Sequence, residues 1–198
     1  MIVSETGPAF EPIPEGSYTA TCIRVIDMGT QTGAYGPKRK VLVTWEVPEH
    51  EVEDAYGDKK PGLISQTYTA SLSDKANLRR DLESWRGKKF TAEELKGFDL
   101  ASVLGAGCLL GVVHNDSDGK TYANISSILA LPKGMPRAAP VHDLVNFDLD
   151  SFNREAFDAL SDKMREKISA TPEYLAATGQ TAKHDTSPGF AHDDEIPF

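Results

Sequence analysis

The sequence LSDKANLRRDLESWRGKKF, residues 72–90, decides the fold, because it is the longest helical pattern in a region that otherwise predicts strands. Leu78, Leu82 and Trp85 recur at i, i+4 and i+7, so they form one apolar face of a helix. Gly87 is expected to end this helix. A helix at this place divides the predicted strands into three before it and two after it.

Residues that can cap a helix lie near both ends of this segment. Ser71 or Ser73 can cap its N-terminus, because a serine hydroxyl accepts a hydrogen bond from the first-turn amides. Beyond the helix, Thr91 and Glu94 have the spacing of a capping box and predict a second, short helix that ends near Gly97.

The flanking segments predict strands and turns. Five runs rich in β-branched and apolar residues predict strands at 17–28, 38–47, 63–72, 107–114 and 120–131. In the second run, alternation places Trp45 on the same face as Val43 and Val47, which is typical of a strand with one buried face. The connections predict a turn or flexible loop at 29–37, an acidic loop at 48–61 and a hairpin turn at 115–119.

The predicted order of elements is three strands, a helical insertion and two further strands. A five-stranded OB-fold β-barrel with a helix between strands 3 and 4 has this order. The predicted fold class is therefore mainly β. Residues 1–135 are expected to form this barrel domain, and a C-terminal helix and a disordered acidic tail are expected to follow it.

The composition changes after Pro136, and the rest of the chain divides into a linker, a helix and a tail. Residues 136–180 hold a linker at 138–140 and an amphipathic helix from about 153 to 169, with an apolar stripe of Phe157, Leu160, Met164 and Ile168. We expect this stripe to dock on the barrel; a partner-binding or self-association helix is the alternative. Residues 181–198 are expected to be the disordered tail.

The net charge of −9 argues against indiscriminate binding of duplex DNA. Residues 1–135 carry 15 Lys and Arg against 18 Asp and Glu, a net charge of −3, whereas residues 136–198 carry 6 against 12, a net charge of −6. Because most of the excess acid lies after the barrel, a local basic surface on the barrel is compatible with the total.

Composition also bears on the compartment. No apolar run approaches the ~18 residues of a membrane span, and residues 1–10 lack the basic flank and apolar core of a signal peptide. We therefore expect a cytoplasmic protein without a membrane partner. Cys22 and Cys108 each lie in an apolar stretch, which predicts reduced, buried thiols.

The sequence contains no catalytic or metal-binding constellation, and we do not expect an enzyme. The five histidines show no metal-ligand spacing, and the P-loop, GxSxG and GxGxxG patterns are absent. Residues 116–119 have the start of a calcium loop, but Ser127 stands where that loop requires a glutamate, so a turn is expected. No cofactor and no metal are predicted.

The C-terminal tip combines acidic residues with an apolar end that folding does not require. It consists of Asp193, Asp194, Glu195, Ile196, Pro197 and Phe198. Pro197 cannot donate to a helix or a sheet, and it favours an extended Ile196. Phe198 can fill an apolar pocket on a partner while the three carboxylates meet a basic rim.

This tip resembles the C-terminal tip of bacterial and bacteriophage single-stranded DNA-binding proteins, with Glu195 where the familiar tip has an aspartate. Three further segments also resemble bacteriophage members of that family and cover about residues 10–135. They are EGSYTATCIRV, the helical segment 72–90 quoted above, and GKTYANISSI. The resemblance implies that residues 1–135 bind single-stranded DNA and that the tip recruits enzymes of replication, recombination or repair. From its charge, the tail is also expected to fold back on the basic groove until DNA displaces it.

Binding a single strand without sequence preference requires cations along the phosphates and aromatic faces for the bases. The predicted cations are Lys38, Arg39, Lys40, Arg79, Arg86, Lys88, Lys89 and Lys120, and the predicted stacking residues are Tyr35, Tyr68 and Tyr122. Trp45 is expected in the core because its strand face is otherwise apolar, and a base-stacking platform is the alternative. Trp85 and Tyr18 are expected to be structural.

Two other functions fit the same pattern. One is an OB-fold interaction adaptor whose tail tethers it to a DNA-processing enzyme, and the other is a strand-annealing recombination protein. Binding to poly-dT that weakens steeply with salt supports DNA binding over the adaptor. A homo-oligomer is compatible with the sequence.

Overall fold

The computed structural model describes residues 12–53 and 57–180 of the 198-residue chain. The strands are β1 (Gly16–Gly33), β2 (Gly36–Glu53), β3 (Lys59–Thr69), β4 (Gly107–Ser117), β5 (Lys120–Leu129) and β6 (Val145–Phe147). The α-helices are α1 (Asn77–Arg86), α2 (Arg154–Asp158), α3 (Asp162–Ser169) and α4 (Pro172–Thr178), and 3₁₀ turns occur at Glu94–Lys96 and Leu100–Val103. The described part is mainly β with a few helices, as predicted.

The sheet has the order β3–β2–β1–β4–β5, and each neighbouring pair on this path is antiparallel. The long strand β1 pairs with β4 through its first part and with β2 through its second. The sixth strand, β6, pairs in parallel with β1 and was not predicted, because three residues carry no periodicity. The edge strands β3 and β5 approach each other, but within the described residues no hydrogen-bonded ladder joins them, so the sheet is open.

Of the turn or flexible loop predicted at 29–37, the structure confirms a turn, and this turn is shorter than predicted. The β1–β2 ladder continues to Gly33 opposite Gly36, and a two-residue turn of Ala34 and Tyr35 connects the strands. Gly36 has φ +81°, which a residue with a side chain rarely adopts. The glycines therefore form the end of a tight hairpin, and the preceding threonine-rich strand carries the ladder.

The predicted acidic loop at 48–61 is also largely strand. β2 continues to Glu53 and β3 begins at Lys59, with a register irregularity between Val47 and Glu51. Glu53 lies opposite Lys59, and opposite charges across a strand pair are favourable. The predicted turn between β4 and β5 is confirmed in a shorter form, since Asp118 and Gly119 both have positive φ, as a two-residue type I′ turn requires.

Helix α1 buries the predicted apolar face, and it ends at Gly87 in a left-handed conformation with φ +66°. The predicted serine cap is wrong: Ala76 occupies the N-cap position and makes no side-chain hydrogen bond. The capping box is confirmed, because the Thr91 amide donates to Glu94 Oε2 at 2.8 Å and the Glu94 amide donates to Thr91 Oγ1 at 3.2 Å. It opens a 3₁₀ turn rather than an α-helix.

The main core lies between the concave face of the sheet and α1. Trp45 is 1% exposed, and its ring centroid lies 5.7 Å from that of Trp85, so both tryptophans are core residues as predicted. Cys22 and Cys108 are buried free thiols. Burial raises the pKa of the Cys22 thiol to about 12, so it is unreactive at neutral pH.

A second core joins the C-terminal module, defined as residues 145–178, to β1. Ile26 and Met28 of β1 contact buried side chains of this module, which include Phe147, Leu149, Phe157, Leu160, Ile168 and Tyr174. The predicted stripe therefore docks on the sheet. The predicted single helix is divided into α2 and α3, because Ser161 is extended, with φ −63° and ψ 152°. Among the described residues, no helix is long and apolar enough to cross a membrane.

Candidate nucleic-acid interface

A cleft of about 410 Å³, here called the lysine cleft, lies between the first residues of β2, the end of β3 and the start of α1. Its charged lining residues are Lys38, Lys40 and Lys75, and most of the others are polar: Thr67, Thr69, Ser71, Ser73 and Asn77. Of the residues that the structure describes, no carboxylate lines it. In a protein of net charge −9, such a lining concentrates positive potential.

Each lysine reaches the cleft for a local reason. Lys38 and Lys40 are two residues apart on β2, so strand alternation places them on one face. The Lys40 ammonium donates to Thr69 Oγ1 on β3 at 2.9 Å, while Lys38 and Lys75 are exposed. Sequence reasoning missed Lys75, and the only signal for it was its place in the connection between β3 and α1.

Helix α1 begins at the same cleft. Its N-cap, Ala76, provides no side-chain acceptor, and its first turn holds no acidic residue. The N-terminal end of a helix carries a partial positive charge. This end therefore adds to the positive potential that the three lysines create.

Arg39 does not line the lysine cleft, although it lies between two lysines that do. Strand alternation directs it to the opposite face, where it pairs with Asp27 and lies 2.9 Å from Asp150 Oδ1 and 3.9 Å from Asp148 Oδ1. The hydrogen bonds that Arg39 donates to Asp27 and, to a smaller extent, to Asp150 raise the pKa of Arg39. The predicted run of three DNA-binding cations thus divides into two cleft lysines and one residue of an ion network.

The predicted arginines of α1 also have internal partners. Arg79 pairs with Asp74 and with Glu83, 3.1 Å away. Arg86 pairs with Glu94, and its guanidinium lies 4.4 Å from the ring centroid of Phe90. With side chains 20% and 15% exposed, these arginines stabilise the helical insertion and are poorly placed to contact phosphate.

Lys88 and Lys89 are exposed, but they lie just past the C-terminal end of α1. A ten-residue helix is about 15 Å long. These two lysines therefore lie apart from the lysine cleft, and Lys88 approaches Glu94 to 3.9 Å.

The three predicted stacking tyrosines have different surroundings. Tyr35, in the turn of the β1–β2 hairpin, is 90% exposed, and Tyr122 on β5 is 49% exposed. Tyr68 is only 3% exposed and donates to Asp81 Oδ2 at 3.1 Å, and its burial raises the pKa of its hydroxyl. The prediction that Tyr68 stacks on a base is wrong for this structure, because its ring has no free face.

Lys120 and Tyr122 line a second groove between the approaching edges of β3 and β5. This groove has a volume of about 630 Å³, and its other lining residues include Ile13, Leu63 and Ser65. The structure thus brings the predicted site residues together in two places, the lysine cleft and this edge groove. The predicted partner-binding residues, Asp193 to Phe198, lie outside the described residues.

On the face of β2 opposite Trp45 lies a fully buried carboxylate, that of Glu46, which is 0% exposed. It accepts hydrogen bonds at 2.9 Å from the amides of Val141 and His142 and at 2.7 Å from His142 Nδ1. Burial alone raises the pKa of such a carboxyl, but these donors outweigh it and hold the pKa of Glu46 below its ordinary value. Residues 138–142, the linker strap, are thereby tied to the sheet.

No group of three or more metal-ligating side chains occurs among the described residues. No protein-family model matches this chain, and the search of curated proteins found no match either.

Proposed function

We propose that this chain is a single-stranded DNA-binding protein of the bacteriophage type, acting in DNA replication, recombination or repair. The observation that carries the proposal is the lysine cleft, which holds three lysines and no described carboxylate on a protein of net charge −9. A phosphate backbone is a polyanion whose binding is governed by such local charge.

The strand order supports an OB-fold for the barrel domain. The sheet order β3–β2–β1–β4–β5, with α1 between β3 and β4, is the order of an OB-fold in which β3 and β5 close the barrel. OB-folds bind single strands on strands 2 and 3 and on the adjacent loops. Lys38 and Lys40 on β2 and Thr67 and Thr69 on β3 are at that position.

Exposed aromatic rings complete the binding surface in this proposal. Phosphates lie along the cleft lysines, and bases stack on Tyr35 at the hairpin turn, three residues before Lys38. Tyr122 in the edge groove provides a further platform. Stacking and phosphate contacts carry no sequence information, so binding is expected to be independent of sequence.

The proposal is tested by titrating labelled poly-dT with the protein and measuring anisotropy across a range of salt concentrations. Intrinsic tryptophan fluorescence is a poor reporter because both tryptophans are buried. Replacing Lys38, Lys40 and Lys75 by Gln should lower the salt slope of log K by about 2, since each phosphate contact on a single strand contributes about 0.7.

A matched control removes the same charge elsewhere. Lys96, Lys133 and Lys163 are exposed and do not line the cleft, so replacing them by Gln should leave the slope nearly unchanged. If the wild-type protein fails to bind poly-dT at low salt, the DNA-binding proposal is wrong and the adaptor function is favoured. If both triple variants lose the same slope, the lysine cleft is not the site.

The C-terminal tip has a separate role in the proposal. Asp193 to Phe198 recruit a replication or repair enzyme that offers an apolar pocket with a basic rim. Co-purification of the partner with full-length protein, and its loss with Phe198→Ala, tests this role independently of DNA.

A further inference from the structure

The hairpin arm, defined as residues 29–40, is held at its base by the C-terminal module. On β1, the amide of Thr30 donates to Glu173 Oε2 at 2.9 Å, and the Thr30 hydroxyl donates to the other oxygen of the same carboxylate. On β2, Arg39 lies 2.9 Å from Asp150. Both strands of the arm therefore contact residues more than 100 positions away in sequence.

The fit at the first residue of the arm is close. Gly29 has φ +64°, and a Cβ atom at this position would lie 2.5 Å from Thr171 Oγ1. Thr171 is 1% exposed and caps α4, the helix that carries Glu173. The contact between the module and the arm is therefore fixed by packing as well as by charge.

The ion pairs of Arg39 with the module are poor candidates for stabilising the fold. Asp148 and Asp150 have side chains that are 45% and 71% exposed, and ion pairs this exposed contribute little to folding stability because solvent screens them. What the contacts do determine is direction. Asp27, Asp148 and Asp150 hold Arg39 on one face of β2, and strand alternation places Lys38 and Lys40 on the other face, where they line the cleft.

We propose that Arg39 and Glu173 are positioning residues, through which the C-terminal module orients the hairpin arm so that Lys38 and Lys40 line the lysine cleft. This inference rests on the proposed DNA-binding function. It assigns the module a part in binding a single strand, although the residues of the module do not line the cleft.

The decisive test uses substitutions for which charge and positioning predict opposite results. Asp150→Asn and Glu173→Gln each remove a negative charge, so electrostatics alone predicts tighter binding of labelled poly-dT. Positioning predicts weaker binding, by roughly 3- to 10-fold for the double variant, because the arm must be ordered when DNA binds. Asp158→Asn is the control for each single substitution, since it removes one charge from an exposed carboxylate of α2 for which the structure shows no contact with the arm.

The role of Arg39 itself is separated by the salt slope. Arg39→Gln should weaken binding but leave the slope of log K against log salt unchanged, because Arg39 does not contact phosphate in this proposal. A slope that falls by about 0.7 would show a direct phosphate contact and overturn the proposal. Arg39→Lys, which keeps the charge, should restore part of the lost affinity.

Amide hydrogen exchange without DNA gives an independent readout. In the Asp150→Asn, Glu173→Gln variant, the amides of Gln31 and Lys38 should exchange faster while those of α1 are unchanged. Unchanged exchange in the arm, or poly-dT binding as tight as or tighter than wild type, overturns the inference. Absence of wild-type DNA binding instead contradicts the proposed function, and the exchange measurement still decides whether the module orders the arm.

Discussion

At the scale of single residues, Glu46 shows how a buried charge can hold two distant parts of the chain together. Its carboxylate lies on β2 with 0% exposure, and its hydrogen-bond donors belong to Val141 and His142 of the linker strap. Thr21 of β1 adds a bond from its hydroxyl to the carbonyl of Ala138 at 2.9 Å. A buried carboxylate is tolerated only because these donors replace the water it has lost.

Glu46→Gln should destabilise the protein by about 2–4 kcal/mol, because an amide provides only one acceptor oxygen to donors that now bond a charge. Urea unfolding of the wild type and the variant measures this change in the free energy of unfolding. The folded-state pKa of Glu46 lies below its ordinary value of 4.5, so its contribution is present above pH 4.5 and is lost as pH falls through the folded pKa.

The wild type should therefore lose stability below pH 4.5 more steeply than Glu46→Gln does. Glu93→Gln, at a carboxylate whose side chain is 81% exposed, is the control and should change stability by less than about 0.5 kcal/mol. Equal acid sensitivity of wild type and Glu46→Gln would contradict this account of the strap.

Sequence reasoning about individual residues succeeded where strand or helix periodicity determined burial, and it failed where a specific distant partner determined the role of the side chain. Periodicity assigned Trp45 and Trp85 to the core, and the structure confirms both. Arg39 and Tyr68 were predicted to bind DNA from residue type and strand position, but Arg39 pairs with three acids on two segments and Tyr68 packs under α1. Nothing within a few residues of either position indicates those partners.

At the scale of elements, the contact between β1 and α4 makes a strong prediction about one glycine. Gly29→Ala should destabilise the protein by about 1–3 kcal/mol, because the residue has φ +64° and the new Cβ atom would lie 2.5 Å from Thr171. Thermal unfolding measures the loss. Gly33→Ala, in the same hairpin, should change stability by less than about 0.5 kcal/mol, since no atom lies within 4 Å of its Cβ position.

If both alanine substitutions have the same effect, α4 does not pack tightly on the hairpin arm. At a low temperature, where the Gly29→Ala variant remains folded, it should also bind poly-dT more weakly than the Gly33→Ala variant does. That difference connects the packing of α4 to the orientation of the arm.

The existence of elements was largely predictable, and their ends were not. All five predicted strands are present, as are the apolar face of α1 and the capping box at Thr91. The turn or flexible loop predicted at 29–37 is a two-residue turn; glycine marks both loops and tight turns, and only the pairing of β1 with β2 distinguishes them. The helix at 153–169 was wrong because the buried stripe continues through the break at Ser161, so periodicity alone did not reveal it.

At the scale of the whole molecule, the C-terminal module packs on the sheet, as expected for the predicted docking stripe. Residues 145–147 add a strand to β1, and the helices of the module cover Ile26 and Met28. The sequence predicts a docking stripe, but it does not say which strand face receives it, because both faces of β1 carry apolar residues. The module therefore belongs to the same packed unit as the sheet.

The negative charge of the acidic tip predicts that the tip competes with DNA for the lysine cleft. Residues 181–192 separate α4 and Gln180 from the tip, and these 12 residues can span at most about 40 Å. We propose that the tip folds back over such a span and competes with DNA for Lys38, Lys40 and Lys75. Deleting residues 193–198 should tighten poly-dT binding by roughly 3- to 10-fold at low salt, which corresponds to a typical coupling between two ligands.

Competition by charge has a recognisable salt dependence. The gain from deletion should shrink as salt rises, because screening weakens the contact between tip and cleft. In the Lys38, Lys40, Lys75→Gln variant the deletion should bring little gain at any salt concentration, since the competing surface has been removed. Phe198→Ala keeps the three tip carboxylates and should leave DNA affinity unchanged. If truncation weakens DNA binding instead, the tip does not compete for the cleft, and the acidic residues act on the partner alone.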